Sequence, residues 1–178
     1  MSASSPLVFS PRVENQLRMI DELDLEPIAY KLVYPDLGVT GMSIEEADRL
    51  IVKYRRFLKL SAMYPDQAIV PSKEFDPVWH AHILDTSKYI EDCNNIFGFV
   101  LHHFPYLGTR GPEDEAELRA KGQVTRDLYK LHFGEDMYEG SDDNIDGSEA
   151  MCDMGGCDGG CERFNTVSER TRPRLIRS

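Results

Sequence analysis

The stretch that decides the fold runs from Asp76 to Gly111 and reads DPVWHAHILDTSKYIEDCNNIFGFVLHHFPYLGTRG. It holds the only tryptophan and four of the five histidines of the chain. Imidazole is the commonest metal ligand in proteins and the usual acid–base group near neutral pH. Because the four imidazoles all lie between positions 80 and 103, we expect this stretch to be the functional centre.

A helical pattern occupies the first part of this stretch. Asp76 followed by Pro77 is a typical helix start, because a short acidic side chain can cap the first turn and proline is tolerated there. Apolar residues then recur at three- and four-residue spacing, which predicts one central helix from Pro77 to about Phe97. Its inward stripe is Trp79, His82 or Ile83, Thr86, Tyr89 or Ile90, Cys93 and Phe97. Residues 99–111 are predicted to form an apolar, ordered loop.

Helical signals also flank this stretch. They predict four further helices, at about residues 11–23, 26–33, 44–64 and 113–133. Ser43 and Glu46 form a capping-box pattern before the third of these, and Gly122 favours a break in the last. No alternating strand pattern of convincing length is present. The predicted fold class is therefore all-α, a small irregular helical bundle with a disordered acidic Gly/Cys-rich C-terminal tail.

The domain organisation follows from composition. Residues 1–9 are predicted to be a flexible N-terminus, 10–138 a helical domain, and 139–178 a disordered tail. Positions 139–162 hold eight acidic residues, no Lys or Arg, and almost no bulky apolar side chains. Such a segment cannot bury enough surface to offset its ordering entropy. The last residues, 163–178, are basic, with five arginines and one glutamate.

Three of the four cysteines lie in this tail. Cys152, Cys157 and Cys161 are spaced C-x₄-C-x₃-C, which is wider than the pairs typical of zinc sites. Three interpretations stay open: ordered metal binding, a redox-active or modifiable segment, and an inert flexible tail. Cys93 is predicted to be a buried structural thiol, since no adjacent basic group would lower its pKa.

Charge and hydropathy exclude several classes of protein. The net charge of −11 argues against nucleic-acid binding, which needs a basic surface. No run of 18 apolar residues and no signal-peptide pattern is present, so we expect no membrane span and a cytoplasmic location. No nucleotide-binding glycine loop or serine-nucleophile elbow occurs.

Helical geometry limits how the histidines can be combined. His80 and His82 are two positions apart, hence about 200° apart around a helix axis, and cannot point the same way. Asp76 and His80 are four apart and share a face. The sequence therefore predicts a site built from Asp76 and His80, or from His82, completed by His102 or His103 from the loop. Zinc or iron suits such nitrogen and oxygen ligands.

Two other interpretations of the histidine cluster remain open. It could be a polar network without metal that fixes the loop, or a site for metal-free acid–base catalysis. The functional hypothesis is a metal- or ligand-binding helical domain, with a metalloenzyme as its strongest form. The alternative is a non-enzymatic adaptor whose histidines are structural and whose tail contacts a protein partner. Whether the chain is an enzyme, and whether its ligand is a small molecule, stays open.

The same residues carry a resemblance to a known family. FDPVWHAHILDTSKYIEDCNNIFG followed by LHHFPYLG resembles the glycine-rich domain-containing protein-like family, found in plant glycine-rich-domain proteins and bacterial stand-alone proteins. The matching positions are Asp76, Trp79, His80, His82, Thr86, Tyr89, Cys93, His102 and His103. The resemblance extends over about residues 10–135 and implies a helical domain, without implying a particular reaction. The long glycine-rich region of the plant members is missing here, so roles of that region do not transfer.

Overall fold

The computed structural model describes residues 8–36 and 38–138 of the chain. These residues form six helices and no strand, which confirms the predicted all-α fold. The helices are α1 (Pro11–Glu22), α2 (Glu26–Val33), α3 (Ile44–Met63), α4 (Asp76–Leu84), α5 (Thr86–Ile96) and α6 (Pro112–Phe133). The tail, residues 139–178 with its three cysteines, lies outside the described residues, as do residues 1–7 of the predicted flexible N-terminus.

The helices begin where local signals predict. The Ser10 hydroxyl accepts a hydrogen bond from the backbone N–H of Val13 at 3.4 Å, and α1 then starts with a proline. The Ser43 hydroxyl likewise accepts from the N–H of Glu46 at 3.1 Å at the start of α3. Each bond satisfies a backbone donor that has no partner within its helix. The hydroxyl cap predicted at Ser43 is therefore confirmed, and Ser10 caps α1 in the same way.

The longest interior helix, α3, is the centre of the bundle. It packs against α1, α2, α4 and α6, and it contributes the fully buried Tyr54, Phe57 and Leu60 to the main core. On its outer side, the Arg55 guanidinium donates to the carbonyls of Ile20 and Leu23, at the end of α1. The last carbonyls of a helix have no intrahelical donors. The Arg55 guanidinium therefore satisfies carbonyls at the C-terminal end of α1 and attaches that end to α3.

The single central helix predicted over residues 77–97 is wrong. The helix is interrupted at Asp85 (φ −81°, ψ +70°), so α4 ends at Leu84 and α5 starts at Thr86. The Asp85 carboxylate accepts from the N–H of Lys88 at 3.5 Å, which makes it the N-cap of α5. The two helices then pack against each other. Side chains ten residues apart, about 15 Å along one straight helix, can therefore meet.

Two smaller predictions also need correction. Phe75 precedes the first residue of α4, so Asp76 lies inside the first turn and is not the N-cap. Helix α6 continues through Gly122 without a break and ends at Gly134, whose positive φ of 71° favours glycine. The carboxylate of Asp76 is therefore free of a capping bond and can take part in a site.

The loop between α5 and α6 has a core of its own. Val70, Phe104, Leu107 and Leu118 form a small buried cluster separate from the main core. Gly108 has φ +88°, and a Cβ at this position would lie 2.5 Å from the Leu118 side chain. The loop is thus packed closely on α6, as its apolar composition predicts.

Among the described residues, no helix combines the length and apolar character that a membrane span requires.

Candidate metal centre

Helix α4 presents two of the predicted ligands on one face. Asp76 lies in its first turn and His80 one turn later, so their side chains are neighbours. His80 Nε2 is 3.2 Å from Asp76 Oδ2. The Asp76 carboxylate is buried, and its Oδ1 has no hydrogen-bond partner among the described residues. The pairing of Asp76 with His80 on one helical face is what the sequence predicts.

The third member of the cluster comes from the loop. His103 Nε2 lies 2.9 Å from His80 Nε2 and 3.7 Å from Asp76 Oδ1. One ligand atom from each of these three residues lies within 4.8 Å of the others, so the cluster could hold a metal ion. The imidazoles of the helix and the loop therefore do meet in a shared site.

The separations in this cluster suit a metal centre. With metal–ligand bonds of about 2.0–2.1 Å, neighbouring ligand atoms are about 3.3 Å apart in a tetrahedron and about 2.9 Å apart in an octahedron. His80 Nε2 lies 2.9 Å from His103 Nε2 and 3.2 Å from Asp76 Oδ2, which is close to these values, whereas His103 Nε2 lies 3.7 Å from the other carboxylate oxygen, Oδ1. Two imidazoles and one carboxylate form a ligand set suited to Zn²⁺ or Fe²⁺.

A buried hydrogen-bond chain supports the loop ligand. The Trp79 indole N–H donates to the Tyr89 hydroxyl at 2.9 Å, and that hydroxyl donates to the carbonyl of Leu101. Leu101 lies two residues before His103, whose ring packs on the Trp79 indole with centroids 4.7 Å apart. Trp79 and Tyr89 are both buried, as predicted. Helix α4, helix α5 and the loop are thus joined directly behind the cluster.

His82 lies outside this cluster, in a second buried network. Its Nδ1 is 2.9 Å from the Tyr54 hydroxyl, and its Nε2 is 2.9 Å from the Asp92 carboxylate. Because an ionised carboxylate only accepts, Nε2 carries the proton and Nδ1 of the neutral ring accepts from Tyr54. Burial lowers the pKa of His82, and the hydrogen bond to Asp92 opposes that effect. Both ring nitrogens are therefore engaged, and His82 faces away from His80 as its spacing requires.

His102, the fifth histidine (His132) and Cys93 also lie outside the cluster. His102 is exposed on the loop, although its neighbour His103 faces inward. His132 on α6 is hydrogen-bonded through Nε2 to the Tyr64 hydroxyl at 2.6 Å. Cys93 is a free, buried cysteine, and burial raises the pKa of its thiol. Of the five predicted ligands, the structure therefore brings together Asp76, His80 and His103, and it places His82 and His102 elsewhere.

Sequence reasoning missed the partners of His82. Asp92 and Tyr54 were not predicted to contact it, because on an unbroken helix Asp92 would lie about 15 Å from it. The signal for the break is local: Asp85 is followed by Thr86 and Ser87, and a short acidic side chain in that position is a good N-cap.

Comparisons with known proteins agree with the resemblance noted in the sequence. The UCP032817-like family matches residues 15–121, more than half of the chain. The chain is also 28% identical over 119 residues to glycine-rich domain-containing protein 1 of Arabidopsis thaliana. That alignment covers 67% of this chain but only 13% of the plant protein. No solved structure matches the chain at a significant level. The resemblance to the glycine-rich domain-containing protein-like family is thereby confirmed.

Proposed function

This chain belongs to the UCP032817-like family, and from the geometry of its histidine cluster we propose that it is a metal-binding helical domain. The ligands are Asp76, His80 and His103, and the ion is Zn²⁺ or Fe²⁺. Helix α4 supplies two ligands in a fixed arrangement, and the loop before α6 supplies the third.

The buried carboxylate of Asp76 is the observation that carries this proposal. It is 5% exposed, and its Oδ1 has no hydrogen-bond donor among the described residues. A buried polar atom without a partner is costly, and native proteins rarely keep one unless an ion, a water or a function accounts for it. A divalent cation between Asp76, His80 and His103 would satisfy that oxygen. It would also convert the contact between the two imidazoles into coordination.

A second candidate function has its own support. His80 Nε2 and His103 Nε2 are close enough at 2.9 Å to share one hydrogen bond, so the pair can be satisfied without an ion. In that case the cluster would be a structural network that fixes the loop, and the domain would act as a non-enzymatic adaptor. The net charge of −11 disfavours a nucleic-acid partner in either case. We therefore propose a protein or small-molecule partner, in the cytoplasm.

Elemental analysis of the purified full-length chain separates the two candidates. We expect one zinc or iron ion per chain in the wild type, and loss of that ion in both His80→Ala and His103→Ala. His102→Ala is the matched control, because His102 is the neighbouring exposed imidazole outside the cluster. It should keep the metal. Circular dichroism checks that each variant remains helical.

Two outcomes would contradict metal binding at this site. One is a wild-type protein without metal after refolding with excess Zn²⁺ or Fe²⁺, which favours the structural network. The other is stoichiometric metal that survives both cluster substitutions. If that metal is lost when Cys152, Cys157 and Cys161 are changed to Ser, the site belongs to the tail.

A further inference from the structure

The ligands that the described residues offer fill only part of a metal's coordination sphere. Among the described residues, the cluster contains three members, whereas zinc takes four ligands and iron up to six. Structural zinc sites are closed by four protein ligands, whereas sites with three keep a position for water or substrate. His82 does not complete the set, because its two ring nitrogens are bound by Tyr54 and Asp92.

Exposure indicates where the missing ligand would enter. The side chains of Asp76 and His103 are 5% and 10% exposed, whereas that of His80 is 46% exposed. The carboxylate and the loop imidazole therefore form the inner wall of the site, and His80 stands at its rim. An ion held by all three would be reached from solvent on the side of His80.

Charge indicates what kind of ligand would enter. Two neutral imidazoles and one carboxylate neutralise only half of the charge of a divalent ion, so the occupied site keeps a positive charge. A bound cation is commonly the largest local charge in a site and favours anionic ligands and ionised water. The favoured exogenous ligand is therefore a small anion or a hydroxide.

From these observations we infer that the occupied centre keeps an open coordination position that takes water or a small monodentate anion, such as azide or a carboxylate. This inference rests on the proposed metal function. It assigns the centre to the open type that can bind or activate a ligand, in contrast to a closed structural site.

Cobalt substitution tests the inference on the full chain. Co²⁺ occupies zinc sites and its visible absorption reports the number and type of its ligands. We expect titration with sodium azide to shift the visible bands of the Co²⁺ protein along a saturable single-site curve. His102→Ala should give the same shift, because it leaves all three ligands in place. His80→Ala should show neither bound Co²⁺ nor a shift.

The closed alternatives give distinct results. A Co²⁺ spectrum that azide leaves unchanged up to high concentration overturns the inference, because the ion would then be fully ligated by the chain. A thiolate-to-metal band in the near ultraviolet that disappears when Cys152, Cys157 and Cys161 are changed to Ser also overturns it, since a tail cysteine would fill the position. Failure to bind Co²⁺ at all contradicts the proposed function itself, so the two failures are distinguishable.

Discussion

Replacing Tyr89 by Phe should loosen the loop that carries His103. The Tyr89 hydroxyl accepts from the Trp79 indole and donates to the Leu101 carbonyl, so it joins α4 and the loop through α5. Phenylalanine keeps the ring and its packing but removes these two hydrogen bonds, together with the contact between the hydroxyl and the Cys93 thiol. The change deletes one oxygen atom and leaves the ring in place, so the measured loss reports mainly on the hydroxyl.

The magnitude follows from the two groups that lose their partner. The Trp79 N–H and the Leu101 carbonyl belong to buried residues, and an unsatisfied buried donor or acceptor costs about 1–3 kcal/mol. We therefore expect Tyr89→Phe to lower the free energy of unfolding of the metal-free protein by about 2–6 kcal/mol. Because His103 lies just beyond Leu101, we also expect metal affinity to fall by about 10-fold or more, as for other groups that orient metal ligands.

The assay uses the single tryptophan of the chain. Trp79 packs on His103, so its fluorescence should report both urea unfolding and metal uptake. Tyr106→Phe is the matched control. Tyr106 lies in the same loop, and its hydroxyl makes no hydrogen bond among the described residues, so this change should shift stability by less than about 0.5 kcal/mol. Equal urea midpoints and equal metal affinities for Tyr89→Phe and the wild type would refute the reasoning.

Two further predictions concern the fold around the site. Burial lowers the pKa of His82 below its ordinary value of 6.5. As the pH falls, the imidazole is therefore protonated in the unfolded state before it is protonated in the folded state. The contribution of His82 to the free energy of unfolding should be constant above about pH 7.5 and decline below about pH 6.5. Urea unfolding across pH should show a shallower decline in His82→Gln, and an unchanged slope would contradict the assignment. Gly108→Ala should destabilise more than Gly98→Ala, because both have positive φ but only Gly108 would place a Cβ against Leu118. In both variants the backbone strain should cost about 1–2 kcal/mol, and in Gly108→Ala the contact with Leu118 should cost about 1–3 kcal/mol more. If thermal unfolding shows that the two variants lose the same stability, the close packing of Gly108 on Leu118 is contradicted.

Local signals in the sequence were sufficient for much of the fold. Hydroxyl caps mark the starts of α1 and α3, a proline follows the cap of α1, and the three- and four-residue apolar spacing of both helices marks their buried faces. These signals act within one or two turns, so they can be interpreted without knowing the tertiary structure. The break at Asp85 was missed because no glycine or proline marks it, and α4 and α5 together have one continuous apolar pattern.

The site also has features that local helical geometry predicts and features that depend on contacts between distant parts of the chain. The pairing of Asp76 with His80 follows from helical geometry alone, and the exclusion of His82 from the same ligand set follows from its spacing. The choice of His103 over His102 depends on which side of an irregular loop packs inward, and adjacent positions in a loop have no fixed periodicity. His82 contacts Asp92 only because the chain turns between α4 and α5. Without that helix boundary, this contact could not be predicted.

The order of the ligands along the chain has a consequence for dynamics. His103 follows His80 by 23 residues, so an ion bound to both would act as a reversible cross-link around that segment. Fixing the ends of a segment of this length removes conformational entropy worth on the order of 3 kcal/mol from the unfolded chain. Opening of the loop and release of the ion would then be a single event. Hydrogen exchange of the loop amides should slow when the ion is present.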